Sequence, residues 1–341
     1  MAADPSVPAD AAVSTAVLPP TITAATASTL PAYPLESPVI TIPLAGTAAS
    51  RSAEFSGMAW YNDWLVLLPQ YPTFATSGEE GLLFALPKAD ILAFLDGAMT
   101  GSLTPIEIPF TGGNLGRVLP GFEGFEAITF VGEQAFLTVE TSPGKMLGYL
   151  VAGQMQPDLS AFVLDTTQTM PIEPQADSSN HTDETIVWVD GRLVTIYEVN
   201  GRAITPSPVA HLFDPLLQPL GTVPFPSIEY RVTDATAVDE NGRFWVINYF
   251  YPGDTSQKPA SDPIAQQAGQ GNTHSQYNQV ERLLELQYTA QGIQLTDTPP
   301  IQLTLIPDAR NWEGVVRLNE RGFLLVTDKF PETILAFVPA P

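Results

Sequence analysis

The hydrophobic positions of this chain fall into short runs that come in pairs, each pair hinged on a turn of Gly, Asn, Asp or Glu. In the last pair, Glu313-Gly314-Val315-Val316-Arg317-Leu318 turns at Glu320-Arg321-Gly322 and returns through Phe323-Leu324-Leu325-Val326-Thr327-Asp328. The same phrase stands four times upstream. Ser56-Gly57-Met58 turns at Asn62-Asp63 and closes at Gln70, and Glu126-Ala127-Ile128 turns at Gly132-Glu133 and closes at Glu140. Glu184-Thr185-Ile186 turns at Asp190-Gly191 and closes at Glu198, and Asp234-Ala235-Thr236 turns at Asn241-Gly242 and closes at Asn248. Opening and closing positions lie 14 residues apart in the first four copies and 15 in the last. A fixed period of this kind is an internal repeat, and it decides the architecture before any single residue does.

Further strand-like runs follow each pair: 81–86 and 105–110, 146–151 and 160–165, 211–214 and 220–225, 280–288 and 301–306, and a lone run at 333–338. Residues 90–97 read as one or two helical turns. Four strands per repeat, five times over, predict an all-β fold, a five-bladed β-propeller of four-stranded antiparallel blades with inner strands starting near 56, 126, 184, 234 and 313. The fifth repeat lacks a fourth strand, and the run at 39–44 has no partner of its own. It is expected to complete the last blade and close the ring, since an open sheet edge invites pairing with other chains. The polar stretch 252–279 carries no strand pattern and is read as a loop, not as a sixth blade.

Composition adds limits. The chain has 341 residues, 44% hydrophobic, with no Cys and a formal net charge of −23. Disulfides and thiolate metal sites are excluded, and so strong a negative charge argues against nucleic acid and anionic membranes as partners. No apolar run is long enough to span a bilayer. Residues 1–35, rich in Ala, Thr, Ser and Pro, are read as a flexible tether, and 36–341 as a single propeller domain. That start resembles a secreted or lipid-anchored protein whose signal has been removed, so an extracytoplasmic, monomeric protein is expected, with a disordered cytoplasmic tail as the plainer alternative.

In a propeller the innermost strands begin at one mouth of the channel, here called the top, and the tight turns lie at the bottom. Superposing the five openings puts Ser56, Glu126, Glu184, Asp234 and Glu313 around the top of a narrow channel. Like charges so placed need a counter-charge, and an oxygen-only set suits Ca²⁺ better than zinc. The alternative counter-charges are His181, Arg231 and Arg310, each three residues before one of these acids. A second top ring is formed by Gln70, Glu140, Glu198, Asn248 and Asp328, of which Glu140, Glu198 and Asp328 are candidate bases. Arg51, Arg117, Arg231, Arg310 and Lys329 are candidate contacts for an anionic small-molecule or polymer substrate, with solvated loop charge as the alternative, and Lys145 and Arg202 lie in similar loops. Tyr71, Tyr197, Tyr249, Phe250, Tyr251 and Trp312 are candidate pocket walls, and Glu123 is read as a loop residue. No nucleophile elbow, phosphate loop or dinucleotide fingerprint is present, so metal-assisted hydrolysis is the chemistry best supported.

The words Ser56-Gly57-Met58, Glu126-Ala127-Ile128, Glu184-Thr185-Ile186, Asp234-Ala235-Thr236 and Glu313-Gly314-Val315 resemble those of the calcium-activated nucleotidases, or apyrases. The resemblance implies a five-bladed propeller with Ca²⁺ held by Ser56, Glu126, Glu184, Asp234 and Glu313. Ser56-Gly57-Met58 and Asn311-Trp312-Glu313-Gly314 also look like esterase-like phytase and gluconolactonase-type propellers, which implies a catalytic Ca²⁺ at the mouth. The likeness covers about residues 36–341 through motifs two or three residues long, and the nucleotide-contacting residues do not match one by one. Two functions are therefore expected in parallel: a Ca²⁺-dependent hydrolase of phosphate or carboxylic esters, or a non-catalytic propeller with a structural ion that recognises a glycan, polymer or protein.

Overall fold

Strands in the inner half of a propeller blade are covered on both faces, so they read as unbroken apolar runs where outer strands alternate. The contrast is plain in the first blade. Its second strand, Trp64–Pro69, is buried from Leu65 onward, whereas its outermost strand, Ile106–Thr111, alternates between exposed and buried. The computed structural model describes residues 36–341 apart from 79, 113, 114 and 179. The tether read at 1–35 lies outside the described residues.

Strand β1 (Ile40–Ile42) comes first in the described chain. Blade 1 is β2 (Phe55–Tyr61), β3 (Trp64–Pro69), β4 (Gly81–Pro87) and β5 (Ile106–Thr111). Blade 2 is β6 (Phe122–Val131), β7 (Gln134–Thr141), β8 (Leu147–Met155) and β9 (Phe162–Ile172). Blade 3 is β10 (Asp183–Val189), β11 (Arg192–Tyr197), β12 (Val209–Phe213) and β13 (Pro219–Pro224). Blade 4 is β14 (Arg231–Ala235), β15 (Arg243–Phe250), β16 (Val280–Thr289), β17 (Gly292–Leu295) and β18 (Ile301–Gln302). Blade 5 is β19 (Trp312–Leu318), β20 (Gly322–Thr327) and β21 (Leu335–Pro339), with β1 paired antiparallel outside β21. The N-terminal strand thus completes the last blade, as its orphaned pattern predicts.

The ring closes. Inner strands β2, β6, β10, β14 and β19 each contact the next, and β19 returns to β2. Five separate apolar clusters fill the five gaps between blades; Ile42, Phe55, Met58, Val316 and Phe337, for example, seal blade 5 against blade 1. An inter-blade core of this kind requires close approach at the channel. Gly314 supplies it where an added Cβ would lie 2.8 Å from Val326 Cγ1 and 3.2 Å from the Met58 nitrogen.

Three details differ from the sequence reading. The helix runs Lys88–Leu95, two residues earlier than the 90–97 pattern. The outer strand of blade 4 is split: β17 pairs with the lower half of β16 and β18 with the upper half. Pro299-Pro300 between them lack the N–H groups a continuous ladder needs. The stretch 252–279 has no strand but is not loose either. It folds into two short helical segments, Thr255–Gln257 and Pro263–Ala268, and is pinned by Asp262 to Arg282 at 2.8 Å and by His274 to Glu36 at 3.2 Å. No helix among the described residues is long and apolar enough to cross a membrane.

Candidate functional site at the mouth of the channel

All five inner strands carry a one-residue bulge at their top end, and in four of them the residue the pairing skips turns toward the channel. The pairing skips Ser56 between Phe55↔Pro69 and Gly57↔Leu68, and skips Glu126 between Phe125↔Val139 and Ala127↔Thr138. It skips Glu184 between Asp183↔Tyr197 and Thr185↔Ile196, and Glu313 between Trp312↔Thr327 and Gly314↔Val326. In blade 4 the last matched pair before the bulge is Val232↔Asn248 and the next is Ala235↔Val246. The residue equivalent to Ser56 and the three glutamates is therefore Thr233, and the partner of Gln70, Glu140, Glu198 and Asp328 in the second ring is Tyr249. Asp234 and Asn248 are each out of step by one residue, because the β14–β15 hairpin is longer than the others and the 14-residue spacing picks the wrong pair.

This corrects the expected role of Asp234. Its Oδ2 accepts from the Val315 amide at 2.7 Å, and the amides of Ala235 and Met58 also donate to its carboxylate, although burial pushes its pKa well above the usual range. Asp234 ties three inner strands together and does not line the mouth. Asp234→Ala should leave the Val315 N–H buried without an acceptor, costing about 1–3 kcal/mol of stability. Urea unfolding paired with calcium titration checks this; an altered calcium affinity would restore the ligand reading.

The mouth is a cavity of about 860 Å³ whose floor is Ser56, Glu126, Glu184 and Glu313. Gln70, Glu140, Tyr249 and Asp328 stand in its wall, and Tyr71, Glu123, Tyr251, Asp254, Lys329 and Phe330 reach its rim. Among the described residues eight carboxylates line it (Glu123, Glu126, Glu140, Glu184, Asp254, Asp308, Glu313 and Asp328) against two cations, Arg231 and Lys329. Glu126, Glu184 and Glu313 are all nine-tenths or more buried. Burial and mutual repulsion push all three well above the ordinary carboxylate range. Glu140 is raised to about 7, first by burial and then by Glu198, with Thr182 Oγ1 donating to it at 3.2 Å. Asp328 is raised by burial, partly offset by the Asn311 side chain, which also bonds Glu313.

Counter-charge is scarce. Arg231 Nη1 lies 2.9 Å from Glu198 Oε1, close enough for an ion pair though misaligned for a hydrogen bond, and Nη2 donates to Asp254 at 2.8 Å. Its guanidinium is raised above its usual value by Glu198, Glu184 and Glu313 in spite of burial. None of the three bases pairs with the acid three residues after it. His181 sits between Ser178 Oγ at 2.5 Å and the Gln257 amide nitrogen at 2.6 Å, and its Nε2 is 3.9 Å from Glu198. Arg310 is held by Glu281, whose Oε2 accepts from its Nε at 2.8 Å and from Trp312 Nε1 at 2.7 Å. Glu281 stands some thirty residues upstream, without a repeat position to mark it.

Arg310 is buried in that network and Trp312 in the core beside it, so neither faces a substrate. Arg51 donates to the Lys329 carbonyl at 2.9 Å and stacks on Phe330. Arg51, Arg117, Lys145 and Arg202 are absent from the cavity wall, and Lys329 lines it with its amine on Glu54 at 2.8 Å. Of the six aromatics, Tyr71, Tyr249 and Tyr251 line the cavity, while Tyr197 and Phe250 are buried outside it. Glu123, read as a loop residue, belongs to β6, and its carbonyl accepts from the Tyr71 hydroxyl. Asp254 and Asn311 are site residues the sequence pattern did not single out.

The donor set is one a hard cation would accept: carboxylates, a hydroxyl and an amide, with the Glu184 Oε2 buried and unpartnered. The acids stand around the cavity without closing on one point. Among the described residues no three of them form a ready cage. A cation here would complete its shell with water.

Neither the known family models nor the curated protein sequences match this chain. Among solved structures, similar folds include a bifunctional GH43–CE protein of Bacteroides eggerthii, at 9% identity and TM-score 0.45 over 88% of this chain and 34% of that one. Two others are a glucose dehydrogenase, at 12% identity and TM-score 0.41 over 90% and 98% of the two chains, and the aldose sugar dehydrogenase of Escherichia coli, at 11% and 0.43 over 89% and 99%. The chain spans about a third of the GH43–CE protein. At such identities these likenesses say nothing of what the chain binds. The propeller assignment stands on the strand order and the closed ring, and the nucleotidase and phytase resemblance rests on short motifs alone.

Proposed function

We propose that the mouth is a cation-dependent hydrolytic site for phosphate or carboxylic esters, with Ca²⁺ the fitting ion. The observation that carries this reading is the buried, unpartnered Glu184 carboxylate oxygen beside Glu126 and Glu313, all elevated in pKa and facing one arginine already committed to Glu198 and Asp254. Ser56, Glu126, Glu184 and Glu313 would hold the ion. When bound it would supply Lewis-acid polarisation of the scissile bond. A loosely assembled oxygen site suits the calcium-rich extracytoplasmic setting expected from composition.

The rest of the chemistry belongs to the chain. Glu140, with its pKa at about 7, is matched to take a proton from water near neutral pH. The water oxygen bonds to the ester carbon or phosphorus, the bond to the alcohol oxygen breaks, and Glu140 returns the proton to the departing alkoxide. Tyr71 and Tyr251 on the rim would orient the leaving group.

Glu184→Gln is the direct test. Calcium affinity by calorimetry is expected to fall at least about tenfold, with loss of the calcium-induced rise in Tm. Glu140→Gln should keep calcium binding and abolish hydrolysis on a panel of esters and phosphoesters. Unchanged calcium affinity in Glu184→Gln would sink the ion site. Calcium binding without hydrolysis of any ester by the wild type would leave the non-catalytic binding propeller in its place.

A further inference from the structure

The cavity does not offer what an anionic substrate needs. The two cations that line it among the described residues are taken: Arg231 by Glu198 and Asp254 at 2.9 and 2.8 Å, and Lys329 by Glu54 at 2.8 Å. Eight lining carboxylates face them. A divalent ion on the floor would leave the wall net negative, and focusing in a concave, low-dielectric mouth strengthens that field.

The rim supplies the complementary chemistry. Tyr71 and Tyr251 are large aromatic side chains exposed at 37% and 53%, and both line the cavity. Tyr251 is propped over Gly253, where an added Cβ would meet its ring at 2.3 Å. Tyr71 is fixed by its hydroxyl on the Glu123 carbonyl and by edge contact with Phe122 at 6.2 Å. Its phenol, raised to about 12 chiefly by burial and then by Glu126 and Glu123, stays neutral. This rim already seats cations on aromatic faces: Arg51 and Lys329 lie 5.2 and 5.8 Å from the Phe330 ring centre. Acidic walls with exposed aromatic faces are the chemistry that selects an ammonium group.

We infer that the mouth takes a small molecule bearing a positively charged nitrogen, a primary or quaternary ammonium, seated on Tyr71 and Tyr251 above the acidic floor. The inference builds on the proposed site and narrows it from phosphate or carboxylic esters to a cationic carboxylic ester.

The test uses the full chain saturated with calcium, titrated calorimetrically with tetramethylammonium, with spermidine and with inorganic phosphate, calcium content being measured on the same samples. Tetramethylammonium and spermidine are expected to bind and phosphate not to. Tyr251→Ala and Tyr71→Ala should each weaken tetramethylammonium at least about fivefold, the range of a cation–π contact partly withdrawn from water, with calcium content unchanged. Absence of tetramethylammonium binding, equal affinity in both variants, or tighter binding of phosphate would overturn the inference. Ammonium binding by a wild-type chain that takes up no calcium would instead sink the metal reading and leave this one standing.

Discussion

In a calcium chelator the protein is expected to lose stability as pH rises from about 5 to about 8, the opposite of ordinary acid denaturation. The sign follows from the direction of the shifts. Glu126, Glu140, Glu184, Glu313 and Asp328 all have folded pKa values above their unfolded ones. The folded state therefore binds protons the unfolded chain has released. The stability this brings is fully present below the unfolded carboxylate pKa, near 4.5, and is lost as pH rises through the folded values, which for Glu140 means about 7. Each proton so held contributes a slope of about 1.4 kcal/mol per pH unit. Glu140 alone gives a measurable decline, and the three floor glutamates, raised in the same direction, add to it. Saturating calcium should flatten the curve, because the ion takes the place of the protons, and calcium affinity should rise with pH for the same reason. Urea unfolding at pH 5, 6, 7 and 8, with and without calcium, measures both curves. Parallel curves would mean that the floor acids and the ion do not meet.

The same residues explain why much of the fold was legible and part of the site was not. Blade number, strand order and ring closure follow from periodicity, which repeats the same buried stripe five times and leaves 39–44 as the one unpaired run. Ser56, Glu126, Glu184 and Glu313 were legible because three of those four hairpins share a length and the fourth differs by one residue. Blade 4 broke the register: its hairpin is longer, so a count of 14 from Asp234 reached Asn248, while the strands pair Asn248 with Val232. No pattern in one sequence reports a longer turn when the substituted residue happens also to be acidic.

Ion pairing was the least legible layer. The rule of a base three residues before an acid is local, whereas Arg310 finds Glu281 far upstream on β16, and Arg231 finds Glu198 of the preceding blade and Asp254 of the 252–279 segment. Glu281 is fully buried on β16, which also carries Arg282 and Glu285, so nothing in the strand's sequence tells which charge pairs with which. The consequence for function is direct. Once Arg310 and His181 are withdrawn from the channel, the acidic ring is under-compensated, and that deficit is the physical basis for both a cation on its floor and an ammonium at its rim.

Arg231→Met should show the size of the deficit. Methionine fills much of the same volume but leaves Glu198, which is fully buried, without its ion pair, and releases Asp254 from the wall. Breaking one side of a buried pair typically costs about 3–5 kcal/mol, because the remaining charge stays desolvated. At pH 7.5 in chelator a loss of this order is expected by urea unfolding, enough to lower Tm by roughly 6–15 °C in a chain of this size. The deficit should shrink at pH 5, where the neighbouring acids protonate, and in millimolar calcium, where a second cation offsets the missing guanidinium. A structural salt bridge unrelated to the channel would give a loss that neither proton nor calcium repairs. Recovery by calcium would tie Arg231, Glu184, Glu313 and the ion into one electrostatic unit. An unrepaired loss would confine Arg231 to anchoring the 252–279 segment through Asp254.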